Sequence, residues 1–213
     1  MLILNKKRWF FDVSAKGLKI RYSKVAHLDK LATMPKCDRN GKAEVWTDDQ
    51  FEQVVAELNP NMRTIFSICY YTGCRISEAR QLRAESLVGN TIVFKKTTTK
   101  TKNTRAVPVH SKLKAILDEA DLPTEGYLFP GRSKHKPITR QACDKALRRV
   151  CNYLGFEGFS THSSRRTWAT GLDRGGVRMK AIQELGGWSS MVSLQRYLDV
   201  SDAEKAAAIE VLD

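Results

Sequence analysis

Long apolar runs are missing from this chain. No stretch approaches the ~20 residues that a membrane-spanning helix needs. The opening residues Met1, Leu2, Ile3, Leu4, Asn5 and Lys6 set a short apolar stretch before a basic one, the reverse of a secretory signal. The expected location is therefore the cytoplasm. Metal-site patterns are also missing. The five cysteines, Cys37, Cys69, Cys74, Cys143 and Cys151, form no C-x-x-C, and no His pair stands at zinc spacing. Cys69 and Cys74, like Cys143 and Cys151, fall in helical patterns and read as reduced thiols acting as small apolar side chains. No cluster of carboxylates points to a metal, so neither metal nor cofactor is expected. Acidic residues are scarce: 23 Asp and Glu stand against 36 Lys and Arg, a net charge of +13.

That cation excess favours a polyanionic partner, with DNA and RNA foremost. Ribosomal, chromatin and membrane-surface proteins share such a composition, so charge alone does not choose among them. The 213 residues, 42% of them hydrophobic, suit one domain with a small extension and a real buried core.

Residues 1–43 differ from the rest. Arg8 to Val13 and Leu18 to Tyr22 flank Ser14-Ala15-Lys16-Gly17 and read as a β-hairpin, and Met34 to Ala43 reads as a linker. Residues 44–213 carry a different pattern. Thr47 followed by Gln50 forms a capping box, and Phe51, Val54, Val55 and Leu58 recur at helical spacing until Asn59-Pro60 ends the run. A second helix is expected over 61–71, broken by Gly73, with a short one near Ile76 to Leu82. Thr91 to Phe94 and Arg105 to Val109 read as strands around a Lys/Thr/Asn-rich excursion. Further helices are expected at 111–119, 138–154, 162–174, 177–186, 190–198 and 202–212. The expected class is mainly α with a small antiparallel sheet.

Three segments carry candidate chemistry. Tyr71-Thr72-Gly73-Cys74-Arg75-Ile76-Ser77-Glu78 places Arg75 and Glu78 on one helical face; alone this could be an ordinary surface pair worth little. Thr161-His162-Ser163-Ser164-Arg165 places an imidazole and a guanidinium one turn apart, a pairing suited to an oxyanion. It could equally be a helix-start His beside a solvated Arg. Trp188 stands nine positions before Tyr197, and either aromatic taken singly reads as core.

Together these segments resemble the catalytic domain of the tyrosine recombinases, the phage integrase family. Its pattern is an Arg in a T-G-x-R-x-S-E segment, a Lys on a β-hairpin, an H-x-x-R segment, a His or Trp, then the nucleophilic Tyr. Arg75 and Glu78, His162 and Arg165, and Trp188 and Tyr197 match in the same order, over about residues 44 to 213. For the lysine, Lys95, Lys96, Lys100 and Lys102 compete. In the family it stands eight residues before a strand-closing Pro; Lys100 stands eight before Pro108, with Lys102 second. Trp188 departs from the His of many members, although its indole N–H can donate a similar hydrogen bond. Longer members carry a helical core-binding domain before the catalytic one, and about 43 residues here do not hold it.

The resemblance implies the chemistry. Tyr197 attacks the scissile phosphate and expels the 5′-oxygen, storing the bond energy as a phosphotyrosine without metal or ATP. Arg75 and Arg165 clamp the non-bridging oxygens, Lys100 protonates the leaving oxygen, His162 serves as base or hydrogen-bond partner, and Glu78 orients the neighbourhood. Arg140, Lys145, Arg148 and Arg149 share one predicted helix as candidates for DNA contact, with a solvated face as the alternative. The implied partner is double-stranded DNA, bound by a homotetramer on two sites, with a monomer in free solution. Two alternatives are a DNA-binding protein of this fold without productive recombination and a topoisomerase-like nicking-closing enzyme.

Overall fold

The computed structural model describes residues 43–99, 103–198, 200 and 202–212. The hairpin and linker expected before residue 43, and the hairpin lysines Lys100 and Lys102, lie outside them.

Helix α1 (Asp48–Glu57) opens with the reciprocal cap expected from sequence. The Thr47 hydroxyl accepts from the Gln50 N–H at 3.2 Å, and Gln50 Oε1 accepts from the Thr47 N–H at 3.1 Å. Asn59-Pro60 ends α1 but also starts α2 (Pro60–Thr72), because Pro at the first helical position loses nothing there. The Asn59 side chain caps that start by accepting from the Met62 N–H at 3.0 Å. Helix α2 buries residues on every side, from Met62 and Ile65 to Ser67 and Cys69. It packs against α1, α3 (Ile76–Ala79), α4 (Ser111–Glu119) and α6 (Ser163–Arg174). A helix buried on all sides has no polar stripe, so periodicity could locate α2 but not its central place.

The small sheet has three strands in the order β1 (Leu87–Val88), β2 (Thr91–Phe94), β3 (Arg105–Pro108), all antiparallel. β1 was not expected; two residues are too few to show alternation. The register pairs Ile92 with Val107 and Phe94 with Arg105. α3 is a single turn where a run to Leu82 was expected. Helices α5 (Arg140–Leu154), α7 (Met179–Gly186), α8 (Met191–Gln195) and α9 (Asp202–Ile209) complete the order. α8 stops before Tyr197, which sits in a following turn with its N–H on the Leu194 carbonyl at 2.7 Å. Cys74 lies in the turn after α2 rather than in a helix, with its Sγ 3.9 Å from that of Cys69. No helix among the described residues is long and apolar enough to cross a membrane.

The main core runs from Trp46 to Cys151. A smaller cluster gathers Ala169, Ile182, Trp188 and Leu194, with Trp168 and Tyr197 packed against it. α6 leans on α2 and supplies Ala169 to this second cluster, so it is buried on faces that carry Ser163, Ser164, Arg165, Arg166 and Thr170. A polar helix in such a place needs internal partners for its polar groups. The irregular stretch before α5 also enters the core: Leu128 and Phe129 are fully buried, held by Leu128 N–H on Leu82 O and Ile138 N–H on Phe129 O. Replacing Phe129 with Ala is expected to cost about 3–5 kcal/mol, read as a lowered midpoint in urea unfolding. A change below about 1 kcal/mol would mean that this stretch is not part of the cooperative core.

Candidate active site

The turn after α2 starts the site. Gly73 ends α2 in the left-handed conformation, φ +63°, and an added Cβ there would lie 2.4 Å from the Trp168 ring. Only Gly satisfies both conditions. Arg75 follows as the residue before α3, with its N–H on Glu78 Oε2 at 3.0 Å and its Nη1 on Glu78 Oε1 at 3.2 Å. Glu78 is 1% exposed. Burial pushes its carboxyl pKa up, but the hydrogen bond and charge of Arg105, and then those of Arg75, outweigh burial and hold it below the usual value. Glu78 is therefore ionised between two guanidinium groups. Arg105 Nη2 reaches Oε2 at 2.7 Å.

Arg165 enters from the first turn of α6 and is 1% exposed. Its Nη1 donates to the carbonyls of Gly73 and, at 2.8 Å, of Gly186. The guanidinium lies over the Trp188 ring, 3.6 Å from its centroid, and 5.4 Å from that of Tyr197. Burial, then the neighbouring charge of Arg75, lowers its pKa to about 9, so it is still a cation at pH 7. Its Nε and Nη2 are buried without a hydrogen-bond partner among the described residues, and so is the indole Nε1 of Trp188. Buried donors in native proteins are nearly always paired. An oxyanion with two free oxygens would satisfy both guanidinium N–H groups at once.

The turn after α7 presents Trp188. Gly187 takes φ +69°, and a Cβ on Gly186 would strike the Trp188 ring at 1.8 Å, so the indole lies flat on bare backbone. Tyr197 packs edge-on to Trp188, ring centroids 5.3 Å apart, and stands 6.4 Å from the His162 ring. His162 is the residue before α6 and keeps an exposed edge. Partial desolvation, then the positive charges of Arg140, Arg165 and Arg75, hold its pKa below the ordinary imidazole value. It is neutral at pH 7 and can both accept and donate.

The structure thus brings Arg75, Glu78, His162, Arg165, Trp188 and Tyr197 to one place. Lys100 lies outside the described residues. The four basic residues of α5 divide. Arg140, at the first turn, is close enough to act on His162 and pairs with Asp144 at 3.5 Å. Lys145, Arg148 and Arg149 are exposed within about a third of the helix circumference, opposite the buried Cys143, Leu147 and Val150. Sequence reasoning missed Arg105 and the two carbonyls that hold Arg165. A signal for Arg105 existed: it stands two residues before the buried Val107 on a strand, hence on the same face.

The chain matches known proteins in sequence and in fold. The model of the phage integrase family matches residues 44–204. A tyrosine recombinase of Pseudothermotoga lettingae is 33% identical over 152 residues, covering 70% of this chain and 52% of that protein. The catalytic domain of bacteriophage HP1 integrase is similar in structure, with a TM-score of 0.58 at 25% identity, covering 79% of this chain and 95% of that domain. XerH site-specific recombinase, in a post-cleavage complex with its palindromic difH substrate, gives 0.64 at 23% identity, over 83% of this chain and 56% of that one. The chain spans about half the length of the curated relatives it matches. Through a family match over most of its length and a mainly helical fold with one small antiparallel sheet, the chain belongs to the phage integrase family.

Proposed function

We propose that this chain is the catalytic domain of a site-specific DNA recombinase that cuts and rejoins strands through a 3′-phosphotyrosine. The observation that carries the reading is the buried Arg165 guanidinium, with two nitrogens unpartnered among the described residues and the Tyr197 ring centroid 5.4 Å away. In the forward step the Tyr197 Oη–phosphorus bond forms and the bond from phosphorus to the 5′-oxygen breaks. The phenol proton passes to His162, which is neutral, and Lys100 delivers a proton to the departing 5′-oxygen. Arg75 and Arg165 hold the non-bridging oxygens as charge builds on them, and Trp188 adds its indole N–H. Donors fixed before reaction are commonly the largest catalytic contribution. A strand ending in a 5′-hydroxyl reverses the step, so the ester stores the energy that rejoining needs.

The ring of Tyr197 packs against Trp188 and near Arg165 of its own chain, which supports attack within its own site. The partner is double-stranded DNA, with four copies assembling on two sites from monomers, in the cytoplasm where such DNA resides. Lys145, Arg148 and Arg149, exposed together on α5, track the DNA backbone or groove, while Arg140 sits over the scissile region.

Supercoiled plasmid carrying the DNA that flanks the gene, incubated without added metal, should yield a covalent protein–DNA adduct. Tyr197→Phe should abolish it, and Arg165→Ala should slow it by about 10²–10³-fold. An adduct that survives in Tyr197→Phe rules out this nucleophile. Site-independent relaxation of supercoils favours a nicking-closing enzyme, and binding without adduct a DNA-binding protein only. The adduct rate should fall on the acid side, at a pH below that at which an ordinary imidazole titrates, because protonating His162 removes the proton acceptor and adds a cation beside Arg75 and Arg140. His162→Gln should be slower at pH 7 and should flatten that acid limb. An unchanged acid limb would assign it to another group. Each of Lys145→Ala, Arg148→Ala and Arg149→Ala should reduce the slope of log binding constant against log salt by about 0.9; an unaltered slope makes that face merely solvated.

A further inference from the structure

We propose that Arg105 is a positioning residue of this site, a third guanidinium that fixes Glu78, and through it Arg75, while tying the sheet to the turn that presents Trp188. The proposal rests on the reading of the site as a phosphodiester-transfer centre. The Arg105 side chain is 8% exposed. Its Nη2 donates to Glu78 Oε2 at 2.7 Å and its Nε to the Leu185 carbonyl at 3.0 Å, and its guanidinium lies 4.3 Å from the Phe94 ring centroid. A Cβ on Gly187 would come within 3.0 Å of its Nη1, so the guanidinium fills the space beside the turn before Trp188. Arg105 and Trp188 also share the wall of a cleft of about 680 Å³ with Thr104, Lys180 and Gln183.

These contacts reach three separate parts of the site. Glu78 holds Arg75 through Oε1, while Oε2 takes the Arg75 N–H and Arg105. The last torsion of a Glu side chain is soft, and both Arg75 contacts come from the residue that is to be aimed; the Arg105 bond to Oε2 ties the carboxylate to a separate element, the sheet. Arg75, 18% exposed where Arg165 is 1% exposed, depends on the carboxylate's orientation to aim at a phosphate. The Leu185 carbonyl lies one residue before Gly186, whose own carbonyl holds Arg165. Arg105 therefore sets both phosphate-binding guanidinium groups relative to each other. Its planar fork serves two acceptors from one rigid group, which a Lys ammonium does only with more freedom. The effect falls on the chemical step, not on DNA affinity.

The test uses the full chain and a nicked duplex taken from the DNA flanking the gene, which traps the phosphotyrosine in a single turnover. Arg105→Met should form adduct about ten- to a hundredfold more slowly, with DNA affinity within about twofold, and Arg105→Lys should recover part of the rate. A second duplex with a neutral methylphosphonate at the scissile position removes one negative charge that a guanidinium would offset. On it the defect of Arg75→Ala should shrink, and that of Arg105→Met should shrink with it. A wild-type rate in folded Arg105→Met overturns the proposal, and so does a loss confined to affinity. It is also overturned if the defect persists on methylphosphonate where that of Arg75→Ala is relieved, since Arg105 would then be scaffold only. If Arg105→Met does not fold, Arg105→Lys carries the same comparisons. A wild type that forms no adduct sinks the strand-transfer reading together with this proposal, whereas a wild type that forms adduct beside an equally fast Arg105→Met sinks this proposal alone.

Discussion

A guanidinium taken out of water loses hydration that the protein must replace, and at Arg165 the replacement is partial. One nitrogen is matched by the carbonyls of Gly73 and Gly186, and the flat face by the Trp188 ring. The other two nitrogens keep their donors. Nearby stand Arg75 and Arg105 with Glu78 as their common carboxylate. Three guanidinium groups around one carboxylate leave excess positive charge in a buried place, which is unfavourable for the folded chain alone and favourable for an incoming oxyanion. The remaining features of the site serve to hold that charge in position.

The holding is done mostly by backbone. Gly73 and Gly187, each in the left-handed region, end α2 and α7 so that a carbonyl faces Arg165 and an indole lies flat on the chain. Trp168 closes over Gly73 from the far side and stacks on Trp188 at 6.1 Å. The site is therefore built from the ends of α2 and α7, the start of α6, the first residue of β3 and the turn after α8. Such termini are set by packing of the helices behind them, so the donors need little reorganisation to meet developing charge.

α5 adds a different kind of positive charge. Its exposed cations Lys145, Arg148 and Arg149 share one face over about one turn, and Arg140 stands apart from them, nearer to His162. Exposed cations of this kind interact with a polyanion through counterion release and position it, while buried cations with donors left over suit a single oxyanion. The net charge of +13 thus has two unlike components: a solvated one suited to affinity and a desolvated one suited to chemistry.

Local chemistry in the sequence determined a good deal. The Thr47–Gln50 cap, the break at Gly73, strands β2 and β3 and most of the helices follow from capping, punctuation and periodicity, all of which act over a few residues. The spacing of Arg75, Glu78, His162, Arg165, Trp188 and Tyr197 named the residues that the fold gathers, because the order of such groups along a chain is itself a pattern. Strand β1 was too short to show a period, and α8 ends before Tyr197, whose ring packs edge-on to Trp188 from a different turn. Arg105 illustrates the larger limit. Its partners Glu78 and Leu185 are 27 and 80 residues away, and no local rule relates such positions. Which guanidinium is buried, which carbonyl receives it and which donors are left for an anion were decided only by tertiary structure, because burial and hydrogen-bond pairing are properties of neighbours in space.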